Sequence, residues 1–305
     1  MDGIVRGGAA LTGAPDLRAV QRHARDRLRA GGVGSADLDA RLLVAAAIAE
    51  EWTVLVSHPE RSVSARERAL IDALIARRLS GEPVSRILGE REFWGLGFEI
   101  GPATLDPRPD TETLIERCLE IAHAENWQAG APAVLDLGTG SGCILVALLS
   151  EWPGATGIGT DRSHEALTLA RANAGRHGLQ GRSAFLCGDW DEALGGSFDI
   201  IVSNPPYIPS ADICGLAREV ADHDPRGALD GGADGLDAYR RIVPAAAKRL
   251  RPGGWLAVEV GAGQADAVAD LFAANGLRPG AGLGAIARDL AQRGRVVSMQ
   301  RPPLS

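Results

Sequence analysis

The sequence predicts an α/β protein: a small helical bundle, a β-hairpin linker and a large domain built on a doubly wound, mostly parallel sheet. Three observations predict it. Residues 16–89 carry helical periodicity with caps and stops, and residues 90–104, EREFWGLGFEIGPAT, alternate aromatic and small residues between glycines. From residue 132 onward, short apolar runs alternate with helical segments, the pattern of strands joined by crossover helices. The expected division is a flexible tail over 1–15, a helical domain over 16–89, a hairpin linker over 90–109 and a sheet domain over 110–305.

The opening stretch MDGIVRGGAALTGAP has the Gly, Ala and Pro content of a loose tail and lacks the basic start and apolar core of a secretory signal. DLRAVQRHARDRL then sets Leu17, Val20, Ala24 and Leu28 on one helical face, with Gly31 as a stop. Ser35 is positioned to cap SADLDARLLVAAAIAEE. Ser62 or Ser64 can cap a further helix, whose stripe is Leu70, Ile71, Leu74, Ile75 and Leu79 before Gly81. These helices carry no catalytic constellation and read as a scaffold or docking surface. Beyond the hairpin, DPRPDTETLIERCLEIA starts a helix with Asp110 or Thr111 as its cap and Glu112 in its first turn. AVLDL, ATGIGT, SAFLC, FDIIVS and GWLAVEV are the sheet strands, GCILVALLSEW and SHEALTLARANAGRHG the first crossover helices, and further helices lie near 237–251 and 263–275. RVVSMQ is expected as an antiparallel edge strand.

Composition narrows the function classes. With 45% hydrophobic and 23% charged residues in 305, the chain is ordinary for a globular protein. No apolar run approaches the roughly 18 residues of a membrane span, and the longest, LLVAAAIA at 42–49, reads as a buried helix. Cys118, Cys143, Cys187 and Cys214 are scattered without a C-x-x-C pair, and the six histidines are dispersed, so reduced thiols and no metal are expected. Residues 1–90 carry 13 arginines against 12 acidic residues, whereas the remainder carries 19 basic against 27 acidic. Such an acidic C-terminal part suits a protein or small-molecule substrate better than a phosphate backbone.

DLGTGSGC (136–143) joins the first sheet strand to its helix. Gly138, Gly140 and Gly142 allow a sharp turn and close approach of a ligand, and the helix start behind them offers free N–H groups. A plain βα turn needs fewer glycines. A dinucleotide fingerprint wants its third glycine where Cys143 stands, and Asp136 at the mouth of the loop repels a pyrophosphate. That carboxylate favours a cationic ligand without phosphate, and S-adenosyl-L-methionine, a sulfonium with an α-ammonium, fits. Asp161 ends the second strand and can accept hydrogen bonds from a ribose diol; its other reading, a helix cap, falls to Ser163. Trp190, after the third strand in CGDW, can offer an aromatic face to adenine or simply pack.

SNPPYI (203–208) closes the fourth strand at the same edge. The amide nitrogen of a planar group is a poor nucleophile and must be aimed. Asn204 can accept one of its N–H bonds through the side-chain oxygen and the Pro205 carbonyl the other, while Pro205 and Pro206 stiffen the corner and Tyr207 lies against the flat group.

This NPPY corner after DLGTGSG resembles the class I, Rossmann-like S-adenosylmethionine-dependent methyltransferases that modify planar amino groups. REFWGLGFEIGPATLDPRPDTETLIE (91–116) and ALDGGADGLDAYRRIVPAAAKRLRPGGWLAVEVGAGQ (228–264) narrow the likeness to the PrmC/HemK-type protein-glutamine N5-methyltransferases that act on peptide chain release factors. It runs over nearly the whole chain after residue 16. The resemblance implies that Gly138, Thr139, Gly140, Ser141 and Gly142 hold the methionine end of the cofactor, with Asp161 at the ribose, Trp190 near adenine and Asn204 touching cofactor as well as substrate. It also implies that Asn204, Pro205, Pro206 and Tyr207 hold the glutamine of a Gly-Gly-Gln loop. Asp106 and His164 depart from the family pattern, and the segment LDGGADGLD suggests a lid or turn beside the site. A cytoplasmic monomer working on release factors, without nucleic acid or membrane, is expected. Another protein glutamine (of a ribosomal protein, for example), a nucleic-acid base amino group, or a binding module without chemistry are the alternatives.

Overall fold

The computed structural model describes residues 15–127, 130–192 and 194–304, so the tail expected over 1–15 lies, apart from Pro15, outside the described residues. The chain forms two compact units that meet in sequence between Leu88 and Gly89.

The first unit holds α1 (Leu17–Ala30), α2 (Ala36–Ala47), the short α3 (Val54–Ser57), α4 (Ala65–Leu79) and α5 (Val84–Leu88). Asp16 caps α1 by accepting from the Ala19 amide at 2.8 Å, and Leu17, Val20, Ala24 and Leu28 are all buried. Ser64, not Ser62, caps α4, in a reciprocal box with Glu67. Two expectations change. The Ser35 hydroxyl donates to Asp39 at 2.8 Å rather than capping α2, because that carboxylate is itself a buried ion-pair partner of Arg78. The α4 stripe is narrower than its pattern, with Ile71 and Ile75 buried but Leu70 and Leu79 exposed.

In the second unit, β1 (Glu90–Phe93) and β2 (Leu96–Glu99) pair as an antiparallel hairpin. The hairpin joins this unit's core: Phe93 and Phe98 are buried, edge to face, 6.3 Å apart. A 3₁₀ turn over Pro109–Thr111 leads into α6 (Glu112–Ala124), so Thr111 stands at the helix start without making a side-chain cap.

The sheet comprises β3 (Ala133–Leu137), β4 (Thr156–Asp161), β5 (Ser183–Cys187), β6 (Phe198–Ser203), β7 (Leu250–Glu259), β8 (Ile286–Arg288) and β9 (Gly294–Gln300), in the order β5-β4-β3-β6-β7-β9-β8. The first five strands are mutually parallel, and β9 runs antiparallel to β7. β9 is not the edge expected of RVVSMQ, since β8 pairs beyond it; three residues and a register shift leave β8 no period to read. α6 packs with α7 (Cys143–Glu151) and α8 (His164–Arg176) around one core cluster, and α10 (Asp237–Arg249) with α11 (Ala265–Ala274) around the other. The four-residue α9 (Arg218–Ala221) lies between β6 and α10 in sequence. The chain leaves β3 towards β4 and β5 on one side and returns through β6 and β7 on the other. The carboxyl ends of β3 and β6 therefore flank the topological switch point, where open α/β sheets bind ligands. Among the described residues no helix is long and apolar enough to cross a membrane.

Candidate active site

The loop after β3 turns through three left-handed glycines, Gly138 (φ 72°), Gly140 (φ 56°) and Gly142 (φ 80°). They do different work. A side chain on Gly140 would meet nothing within 4 Å, so its backbone faces open space, whereas one on Gly138 would come within 3.5 Å of the Trp190 ring. Gly142 permits close packing of the start of α7 on α8: a Cβ there would lie 3.3 Å from the Ala170 Cα. Gly138 and Thr139 donate their amides to the Thr160 carbonyl at 2.9 and 2.8 Å. Asn173, fully buried, donates to the carbonyls of Ser141 and Glu99, tying loop to hairpin.

Asp136 differs from the expected charge at the loop's mouth. It is fully buried beneath the loop, and burial pushes its carboxyl up to about 7, against the opposing effect of the Thr139 hydroxyl, which donates to Oδ2 at 2.6 Å. Among the described residues its Oδ1 has no hydrogen-bond partner. Asp161, at the end of β4, accepts from the Gly140 amide at 3.0 Å and the Ser163 amide at 2.9 Å, while Ser163 makes the α8 cap by accepting from Ala166.

A cleft of about 900 Å³ opens at this edge, and Gly138 to Ser141, Asp161, Trp190 and Asn204 to Pro206 line it together. Gly142 and Tyr207 are not on its lining. The Asn204 amide donates through Nδ2 to Thr111 Oγ1 at 3.1 Å, which leaves Oδ1 as the end free for a ligand. Tyr207 turns away: its hydroxyl donates to Glu259 Oε1 at 3.3 Å, and Gln264 Nε2 donates to its carbonyl at 2.9 Å. Ser203 ties the end of β6 to β3 by donating to the Leu137 carbonyl at 2.6 Å.

The glycine-rich segment is a cradle for this corner. Ile208 donates to the Leu229 carbonyl at 3.0 Å and accepts from Gly231 at 2.8 Å, and Ser210 donates to Gly232 at 2.8 Å. A Cβ on Gly235 would stand 2.4 Å from the Tyr207 carbonyl oxygen. Only glycine lets the two backbones lie this close.

Sequence reading missed Glu259, Gln264 and Thr111 as parts of the site. Glu259 is 1% exposed at the end of the apolar run from Trp255 to Val258, and burial pushes its carboxyl up to about 7 against hydrogen bonding from Thr111 and Tyr207. A lone acidic residue inside the apolar run GWLAVEV was the available signal. Thr111 was legible only as a cap, and Gln264 carried no signal.

The lining suits a cation-bearing nucleoside. Gly140 leaves main chain open, and the loop itself holds no basic side chain. Of the four arginines on the cleft lining, Arg108, Arg226 and Arg241 are paired, with Asp224, Asp230 and Asp189, while the Arg162 guanidinium lies against Gly227. Among the described residues no group of three or more His, Cys, Asp or Glu is placed to hold a metal ion.

Residues 19–89 match the family model described as the PrmC N-terminal domain, and residues 119–219 the methyltransferase small domain. The chain is 50% identical over 281 residues to the release factor glutamine methyltransferase of Bradyrhizobium diazoefficiens, covering 91% of this chain and 94% of that one. It is 49% identical to the protein of the same name from Rhodospirillum rubrum, over 83% of this chain and 76% of that one. Among solved structures, the hMettl16 catalytic domain in complex with MAT2A 3′UTR hairpin 1 shares the fold, with a TM-score of 0.51, 14% identity, and coverage of 86% of this chain and 95% of that one.

Proposed function

This chain belongs to the release factor glutamine methyltransferase family, and we propose that it methylates the side-chain amide nitrogen of the glutamine in the Gly-Gly-Gln loop of peptide chain release factors. Bound S-adenosyl-L-methionine supplies the methyl group, on a sulfonium centre whose positive charge makes that carbon electrophilic. The chain's own part is binding and aim. Asp161, whose two oxygens brace the loop and keep lone pairs to spare, takes the ribose diol. Trp190 over Gly138 gives the adenine an apolar wall, and the open main chain of the glycine loop at Gly140 takes the cationic end.

The observation that carries the reading is the orientation of Asn204. With Nδ2 spent on Thr111, its Oδ1 accepts one N–H of the substrate amide, and the Pro205 carbonyl accepts the second. Two acceptors fixed on a stiff corner hold the amide plane so that its nitrogen faces the methyl donor. Tyr207 acts from behind, as a post between corner, Glu259 and Gln264. No strong base is required, because the methylated amide is acidic enough to lose its proton to water.

The substrate in this reading is protein rather than nucleic acid, consistent with the acidic excess of residues 91–305, and the working form is a cytoplasmic monomer. Incubation with radiolabelled cofactor and a purified release factor tests it. Label is expected on wild-type release factor and absent when the loop glutamine is changed to alanine. Label persisting in that variant, or transferred instead to free DNA or RNA, overturns the assignment.

A further inference from the structure

We infer that Glu259 is a positioning residue: through Thr111 it fixes which end of the Asn204 amide faces the cleft, and through Tyr207 it holds the far side of the same corner. This deepens the methyl-transfer reading above and rests on it for the catalytic consequence.

The inference comes from hydrogen-bond direction. Asn204 Nδ2 donates to Thr111 Oγ1 at 3.1 Å, so the single hydroxyl proton of Thr111 must point elsewhere. The Glu259 carboxyl lies within its reach, and that contact favours the charged form of the glutamate. Among the described residues Oε2 makes no full hydrogen bond, while Oε1 accepts from Tyr207 at 3.3 Å. An ionised carboxylate can only accept. It therefore draws the protons of Thr111 and Tyr207 towards itself and makes Thr111 an acceptor for Asn204. With its proton drawn towards Glu259, Thr111 accepts from Asn204 Nδ2, and Oδ1 is left for the substrate.

Protonation of Glu259 reverses this logic. A carboxylic acid can donate to Thr111, which can then donate to Asn204 Oδ1, and a flipped amide presents N–H₂ to the cleft. A donor there repels the substrate's own N–H bonds. The surroundings leave Glu259 able to switch. Thr111 and Asp110 face it from the turn before α6, Tyr207 from the corner, Tyr239 from α10, Cys143 from the start of α7 and Arg295 from β9. Arg295 is the one cation in that set, and it is already engaged with Asp110 at 2.6 Å and Asp289 at 3.0 Å. Among the described residues no arginine bonds Glu259 directly to hold its charge, and burial raises its pKa to about 7.

Glu259→Gln and Thr111→Val test the inference by two readouts. In the transfer assay, each variant is expected to lower kcat by about 10- to 100-fold, the scale for removing a group that orients a functional one, with cofactor affinity unchanged. Wild-type kcat should fall as pH drops through about 7, and that acid limb should vanish in Glu259→Gln. The second readout needs no substrate. The Asn204 side-chain amide signal, identified in a nitrogen-15 spectrum by its loss in Asn204→Ala, should titrate near pH 7 in the wild type and stay fixed in Glu259→Gln. Failure of wild-type protein to modify any release factor would remove the substrate reading, and the spectrum would still decide the relay. An Asn204 signal with the same pH response in Glu259→Gln as in wild type, or an acid limb retained by that variant, overturns the inference. The surviving limb would then belong to Asp136.

Discussion

A side chain on Gly231 would place its Cβ 2.8 Å from the Cα of Tyr207, a separation that packed Cβ atoms do not reach. The residue is therefore glycine because the corner at Tyr207 lies directly on it. Gly231→Ala must push the corner, the cradle or both, at a cost of about 1–3 kcal/mol in packing strain. A shift near 1 Å in a group that aims the substrate lowers turnover by roughly 100-fold. Asp161 and the glycine loop stand on other strands, so cofactor affinity measured by calorimetry should stay within several-fold of wild type. Wild-type turnover in Gly231→Ala would show that the contact is slack.

Asn204→Ala removes the oriented acceptor while leaving Pro205 and Pro206 to hold the bend. Turnover is expected to fall by about 100-fold or more, the scale for one preorganised polar group, with cofactor affinity again within several-fold. Equal losses in turnover and cofactor binding would assign Asn204 to the cofactor alone.

Much of this site was legible because it sits where one strand ends and one turn begins. Gly138, Asp161, Trp190 and Asn204 each follow a short apolar run, so the alternation of strands and helices alone carries them to one sheet edge, and a single cleft collects them. What stayed hidden depends on contacts between distant segments. Thr111 looked like a helix cap, and it meets Asn204 only because the turn before α6 lies across the end of β6. Tyr207 was read as touching substrate, yet its hydroxyl finds Glu259, 52 residues later in the chain. The role of Gly231 and Gly235 was equally invisible, because glycine content signals close approach without naming what approaches. Ser35 shows the reverse case: a good capping residue is diverted by a buried carboxylate four positions on.

Asp136 gives the protein a pH-dependent stability term whose sign follows from burial. Its ordinary value is 3.8 and folding raises it to about 7, so the folded chain binds this proton more tightly than the unfolded one. The contribution is complete below about 3.8 and is lost as pH rises through about 7. The neutral amide of an Asp136→Asn variant cannot titrate. The melting temperature of Asp136→Asn relative to wild type should therefore rise between pH 5 and pH 8.5. Glu259 adds a slope of the same sign in both proteins, since its value also moves up to about 7, from 4.5, and it cancels in the difference. A difference that is flat across this range would mean that Asp136 stays ionised in the fold.

The first unit supplies a test independent of the chemistry. Arg78 on α4 donates to Asp39 on α2 at 2.6 Å, with only 6% and 7% of the two side chains exposed, and Ser35 donates to the same carboxylate oxygen. Neither charge is well placed to recover water if its partner goes. Arg78→Met alone leaves the buried Asp39 carboxylate without its cation and should destabilise this unit by about 3–5 kcal/mol, whereas replacing both partners with apolar residues of similar volume is close to neutral. Hydrogen exchange on the intact chain resolves the two cases. Amides of α2 and α4 should lose protection in Arg78→Met and regain most of it in Arg78→Met with Asp39→Leu, while β3 and β6 keep wild-type protection throughout. Equal protection in the single and double variants would show that Asp39 finds water or another donor, and that the pair contributes its hydrogen bond and no more.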